Sequence, residues 1–324
     1  MIRRVITDTP RATTYDGEPA AGSAVVRASG GDDPAAGTAR APFDRGAILE
    51  QAGRENFPVA SRLLPRRYRT HLMAVYGFAR LVDDIGDEAP PADRLPLLDD
   101  VAADVDRIYA GAEPHLPIIA TLGRTVHATG IPPRPLHDLI EANRQDQRVT
   151  RYATYDDLLG YCALSANPVG LLVLHVFGYA TPHRVTLSDR VCTALQLAEH
   201  WQDVAEDLGN GRVYLPQEDL DRFGCTEADL AAPRADDKVR ALMSFETGRA
   251  ARLMDQGAPI VGTMRGFARV AVAGYVAGGR AALAAIRAAD HDILAATPRP
   301  RAARLVPEFA RALATTPFST GERS

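Results

Sequence analysis

The sequence predicts an all-α protein folded as a single domain. From about residue 44 to residue 314, Ala, Leu, Val and Arg recur at helical spacing in long blocks, and Pro or Gly separates one block from the next. Alternating β-branched runs bounded by hairpin turns are missing. With 324 residues the chain has ample length for a substantial core.

Taken in order, residues 1–44 are rich in Gly, Ala, Pro, Thr and Asp with little periodic apolar pattern, and read as a disordered extension. The domain follows over 45–314, and 315–324 reads as a flexible tail. The helical blocks are 44–54, 68–89, 93–110, 115–129, 133–148, 155–180, 186–209, 217–231, 236–256, 258–289 and 301–314. Pro90-Pro91, Pro132-Pro133, Pro216, Pro233 and Pro298 mark their boundaries, because an interior proline removes a hydrogen bond and clashes with the preceding turn. Pro168 is the exception, inside the apolar run Leu164–Phe177; a break there would let Gly170 bring another surface close, a neighbouring helix or a ligand. Gly262, Gly266, Gly274, Gly278 and Gly279 would permit close helix approach or leave a groove.

Composition excludes several functions. The formal charge of −4 gives no reason to expect a nucleic-acid partner. Arginines cluster near Arg62–Arg69 and Arg299–Arg304, as solvated faces or as contacts to phosphate or an anionic membrane surface. Cys162, Cys192 and Cys225 form no CxxC pair, which fits a reducing, cytoplasmic setting. No apolar segment follows the basic N-terminus and no run of about 18 apolar residues occurs, so membrane contact is expected to be peripheral at most, at the inner membrane face. There is no HExxH, no Walker A run and no GxGxxG after a strand.

Chemistry concentrates in two acid-bearing stretches. In ALQLAEHWQDVAEDLGNGRVYLP, a continuous helix over Ala194–Leu208 would put Gln196, Glu199 or His200, Asp203 and Asp207 on one face. In LMAVYGFARLVDDIGDE, Tyr76, Arg80, Asp83 and Asp87 repeat the spacing. Like charges at i,i+4 are mildly destabilising. Doing this twice amid apolar sequence implies a counter-charge, and Mg²⁺ with a diphosphate would supply it, since Mg²⁺ binds through few carboxylates, water and phosphate. Arg80 would pair with an acid or hold a phosphate oxygen, and Arg212 and Tyr214 would fold back across Gly209–Gly211. Tyr76, Phe57, Tyr161 and Tyr275 offer ring faces to a cation, or simply pack in the core.

Both acid clusters, with ENFPVASRLLPRRYR at Glu55–Arg69 and RYATYDDLLGYCALSANPVGLLVLHVFG at Arg151–Gly178, resemble the squalene/phytoene synthase family over about residues 44–314, and its hydroxysqualene synthase branch in particular. The resemblance implies an isoprenoid-synthase helical bundle with a central cavity. It implies Mg²⁺ as cofactor, an isoprenoid diphosphate as substrate, and other enzymes of the same pathway as partners. For the branch it implies conversion of presqualene diphosphate to hydroxysqualene, with water capturing the rearranged cation and no NADPH consumed. Asp83, Asp87, Asp203 and Asp207 would hold metal, with Asp84 close by and Glu199 as an added ligand. Arg80 and Arg212 would bind diphosphate. Tyr76, Tyr161, Gln196 and Tyr214 would border the reaction centre, and Phe57, Ala166, Gly170 and Tyr275 would meet substrate.

Departures from the family motif stand at Glu199, usually Asn, at His200, usually aromatic, and at His291, often Tyr in relatives. Two alternatives stay open: head-to-head coupling to presqualene diphosphate or phytoene, and a non-catalytic assembly or lipid-binding factor. Hydroxysqualene formation requires one positioned water, and no residue in the sequence is singled out to position it.

Overall fold

The computed structural model describes residues 64–314, so the expected N-terminal extension, the block 44–54, Phe57 and the tail 315–324 lie outside the described residues. Helices occupy nearly every expected block. They are α1 (Arg66–Glu88), α2 (Pro91–Tyr109), α3 (Pro117–Thr129), α4 (Arg134–Asp146), α5 (Tyr155–Ser165), α6 (Asn167–Phe177), α7 (Pro182–Gln202), α8 (Val204–Gly209), α9 (Gln217–Phe223), α10 (Glu227–Leu230), α11 (Asp237–Gly257), α12 (Gly266–Ala288) and α13 (Ala302–Ala314). A 3₁₀ turn, Ala258–Thr263, joins α11 to α12. Among the described residues β pairing is limited to one isolated parallel bridge between Arg151 and Val213.

Local chemistry sets these boundaries. Pro91 and Pro117 open α2 and α3, where a missing N–H is tolerated. Thr154 and Asp157 form a reciprocal capping box at the start of α5. The buried Asp104 accepts the backbone N–H groups of His115 and Leu116 at 2.7 and 2.8 Å, tying the α2–α3 connection to the core.

Two helices organise the core. Residues 74–82 of α1 are buried on every side, with α2, α3, α4 and α6 packed around them. The second, α7, packs against α5, α6, α11 and α12. Although no unbroken run of about 18 apolar residues was expected, the stretches 155–177 and 266–288 are apolar and long enough by composition to cross a membrane. The first is interrupted between α5 and α6, and both stretches pack against other helices of the bundle.

Four expected blocks are divided, among them 217–231 into α9 and α10 and 258–289 into the 3₁₀ turn and α12. The break expected near Pro168 falls at Ala166, and Pro168 becomes the second residue of α6. Gly170 then lies directly on α7, where an added Cβ would fall 2.3 Å from Ser188 Oγ and 2.6 Å from Cys192 Sγ. The block 186–209 is not one helix. Asp203, at φ −107° and ψ 14°, interrupts it between α7 and α8, although its carbonyl still accepts the Asp207 N–H at 2.8 Å.

Candidate active site

The C-terminal end of α1 carries the first acid pair, and α4 fixes it. Asn143 Nδ2 donates to Asp83 Oδ1 at 3.3 Å, and Gln147 Nε2 donates to the Gly86 carbonyl at 3.1 Å. A Cβ on Gly86 would stand 2.2 Å from Asn143 Oδ1, so glycine is what allows α1 and α4 to approach this closely. Asp84 turns from its neighbours to Arg80, whose Nη2 lies 2.6 Å from its Oδ1, with both residues buried. A buried guanidinium and carboxylate tolerate desolvation because each is the other's counter-charge.

The second acid pair sits at the α7–α8 interruption, with Asp203 buried and Asp207 partly exposed. The chain then turns through Gly211, at φ 78°, and runs beside residues 150–153. Val213 N–H donates to the Thr150 carbonyl at 2.9 Å, and Gln217 N–H to that of Tyr152 at 2.9 Å. This strap returns Arg212 and Tyr214 to the acids. Arg212 Nη1 lies 3.5 Å from Asp87 Oδ1, so the segment after the second motif contacts the first. Burial opposes the charge on Arg212, but the Asp146 and Asp87 carboxylates help hold the guanidinium protonated.

Aromatic rings line the space behind. Tyr214 stacks on His200 at 3.7 Å between centroids and 16° between planes, and Tyr161 and Tyr152 adjoin that pair. His200, a departure from the family's aromatic residue, therefore keeps a flat ring in place. Its Nε2 meets Gln196 Nε2 at 2.9 Å and its Nδ1 lies 3.9 Å from Asp207 Oδ2. Burial above all pushes its pKa down, so the imidazole is neutral near pH 7. A recess of about 190 Å³, solvent at its mouth included, is lined by His200, Val204, Asp207, Arg212, Val213, Tyr214 and Leu215.

Asp146 was missed by sequence reasoning. Tyr161 donates its hydroxyl to Asp146 Oδ2 at 2.8 Å, and Arg212 Nη2 donates to the Asp146 carbonyl at 3.4 Å. Burial raises its pKa to about 6, opposed by Arg212 and Tyr161 and reinforced by Asp87 and Asp83. It stands as a lone acid in the polar run RQDQR, with no spacing to distinguish it.

The structure thus gathers Asp83, Asp87, Tyr161, His200, Asp207, Arg212 and Tyr214 about one place, with Gln196 held by His200. Tyr76 is buried on α1 and Glu199 is partly exposed on α7. Tyr275 on α12 lies near Cys192 of α7, and burial raises its phenol pKa. Ala166 marks the α5–α6 break, and Gly170 faces α7 as described. Among the described residues no three His, Cys, Asp or Glu side chains converge as a ready-made metal site.

An all-α bundle bearing two acid motifs, joined through an arginine and backed by aromatic rings, defines the class. Comparison with known proteins then places the chain within it. The squalene/phytoene synthase family profile matches residues 51–306, and the chain belongs to that family. It is 35% identical over 218 residues to a hydroxysqualene synthase of Zymomonas mobilis subsp. mobilis, covering 62% of this chain and 72% of that protein. It is 32% identical over 207 residues to a phytoene synthase of Mycobacterium bovis, covering 63% and 68%. Its structure is similar to that of squalene synthase HpnC from Alicyclobacillus acidocaldarius, with a TM-score of 0.70, 43% identity, and 73% and 89% of the two chains covered.

Proposed function

We propose that this protein converts presqualene diphosphate to hydroxysqualene, releasing diphosphate in a Mg²⁺-dependent reaction. The observation that carries the reading is the Arg212–Asp87 contact, which sets a firmly charged cation between the two acid motifs, where a leaving diphosphate would develop charge. The names of the hydroxysqualene synthases it resembles support the choice of product.

The donor set suits Mg²⁺. The four outer carboxylates offer hard oxygens in two pairs, and an ion that arrives with diphosphate needs only one or two protein carboxylates beside phosphate and water. Asp83 and Asp87 would hold metal on one side, and Asp203 and Asp207 on the other. When bound, Mg²⁺ would neutralise charge building on the departing diphosphate.

The chain's own residues do the rest. Arg212 would bind diphosphate oxygens more tightly as the ester bond breaks, which is the differential binding that lowers a barrier. Arg80, paired with Asp84, would steady the acid-bearing end of α1. Asn143 and Gln147 keep the end of α1 in position. The stacked Tyr214 and His200 rings, with Tyr161 tilted beside them, would face positive charge without offering a charged nucleophile, since His200 is neutral. The recess beside Asp207 and Arg212 marks where the diphosphate end of the lipid would enter.

Head-to-head coupling of two prenyl diphosphates is the second reading, favoured by the similarity to phytoene synthases. Supplying purified protein and Mg²⁺ with farnesyl diphosphate alone, or presqualene diphosphate alone, and identifying products by mass separates the two. Hydroxysqualene from presqualene diphosphate alone supports the proposal. Presqualene diphosphate or another coupled product from farnesyl diphosphate alone, with presqualene diphosphate left unconverted, overturns it.

A further inference from the structure

Besides Asp146 Oδ1, two buried polar atoms near the aromatic group have no hydrogen-bond partner: Ser165 Oγ and Gln196 Oε1. Their residues are only 8% and 4% exposed. Leaving such a group unpaired costs about 1–3 kcal/mol, and native proteins leave few of them so.

Helices α5 and α7 place the two at one level. Tyr161 and His200 meet across the helices, with ring centroids 6.2 Å apart. Beyond the α5–α6 break, Thr193 donates its hydroxyl to Asn167 Oδ1 at 3.0 Å. Ser165 is one turn after Tyr161 and Gln196 one turn before His200, so both residues lie between these two contacts along the paired helices. The Gln196 amide nitrogen is engaged by His200 Nε2, which fixes the side chain and leaves its carbonyl oxygen to spare.

We propose that Ser165 Oγ and Gln196 Oε1 hold one water molecule, and that this water supplies the hydroxyl group of hydroxysqualene. The inference rests on the reading of the reaction given above. The Gln196 carbonyl accepts a hydrogen bond from the water, and the serine hydroxyl fixes it from a second side. A lone pair on the water oxygen forms the new C–O bond to the cationic carbon. The O–H bond then breaks, and its proton passes to the diphosphate released in the same turnover. Presqualene diphosphate and water thus become hydroxysqualene, diphosphate and a proton, with no oxidant or reductant. Ser165 and Gln196 are positioning residues for that water, and they decide whether the cation is hydroxylated or lost to other products.

The test measures the share of hydroxysqualene among all products per diphosphate released from presqualene diphosphate with Mg²⁺. Ser165→Ala should lower that share at least tenfold in favour of hydrocarbons formed by proton loss, and Ser165→Thr, which restores a hydroxyl, should recover it. Gln196→Met, similar in shape but lacking the acceptor, gives the same reading if Ser165→Ala does not fold. Unchanged product proportions in either folded variant overturn the water assignment while leaving the proposed reaction intact. A wild-type protein that releases no diphosphate from presqualene diphosphate overturns the reaction, and the inference with it.

Discussion

Arg212 Nη1 lies 3.5 Å from Asp87 Oδ1, joining a residue just past the second acid motif to the last acid of the first. The contact is partly solvated, with side-chain exposures of 23% and 54%, so its own contribution to stability is about 0–1 kcal/mol. Its effect should appear in catalysis. Arg212→Gln is expected to lower kcat/KM for presqualene diphosphate on the order of 10²-fold with little change in Tm, as for removal of one donor from a charge-stabilising site. Steady-state kinetics beside a thermal melt checks this. A Tm loss of many degrees with normal turnover in the folded fraction would reverse the assignment.

His200 acts as a neutral ring stacked on Tyr214. With its folded pKa held below the unfolded value of about 6.5, the unfolded chain binds the extra proton between the two. Stability linked to this group is therefore present above pH 6.5 and is lost as pH falls toward the folded pKa. His200→Phe should retain the stack and flatten the decline in Tm between pH 6.5 and 4. His200→Ala should lose the stack and lower Tm at every pH. Equal acid sensitivity in His200→Phe and wild type would contradict the argument.

Glu246 has the opposite sign. It is fully buried on α11 beside Asp219, with Arg249 bridging the two carboxyls and lying over the Tyr155 ring. Its Oε2 has no partner. Burial, then Asp219, raises its pKa from 4.5 to about 8, so the folded protein holds a proton that the unfolded chain releases. The associated stability is complete below pH 4.5 and falls away as pH rises through 8. Glu246→Gln should remove that decline, measured as Tm from pH 5 to 9, and a slope identical to wild type would sink the idea of a protonated Glu246 in the fold.

Gly170 is a packing contact against α7. Gly170→Ala should destabilise by about 1–3 kcal/mol, because the added methyl meets Ser188 and Cys192 on a buried helix face. Chemical denaturation measures this. An unchanged midpoint would show that α6 and α7 can separate freely at this level.

The helical blocks could be read in the chain because Pro and Gly punctuate them and apolar residues recur with the helical period. The interruption at Asp203 could not, since QLAEHWQDVAEDL contains neither residue and every position tolerates a helix. The acid motifs were legible as spacings. Their union through Arg212 depends on the strap beside residues 150–153, a long-range pairing with no local signal. Asp146 was hidden for the same reason, its importance coming from Tyr161 and Arg212, distant in sequence. Ser165 reads as an ordinary small residue until the partners around it are counted. The substitution at His200 was visible, but only its stacking on Tyr214 shows that the ring survives the change.

The most direct measurement of the central claim is Mg²⁺-dependent turnover of presqualene diphosphate by Asp87→Asn, Asp203→Asn and the double variant, each confirmed folded. If the two acid motifs form one diphosphate site, each single change should lower kcat at least 10²-fold, and the double should lose little more than the worse single, as residues acting together do. Either single variant turning over at the wild-type rate would contradict the account.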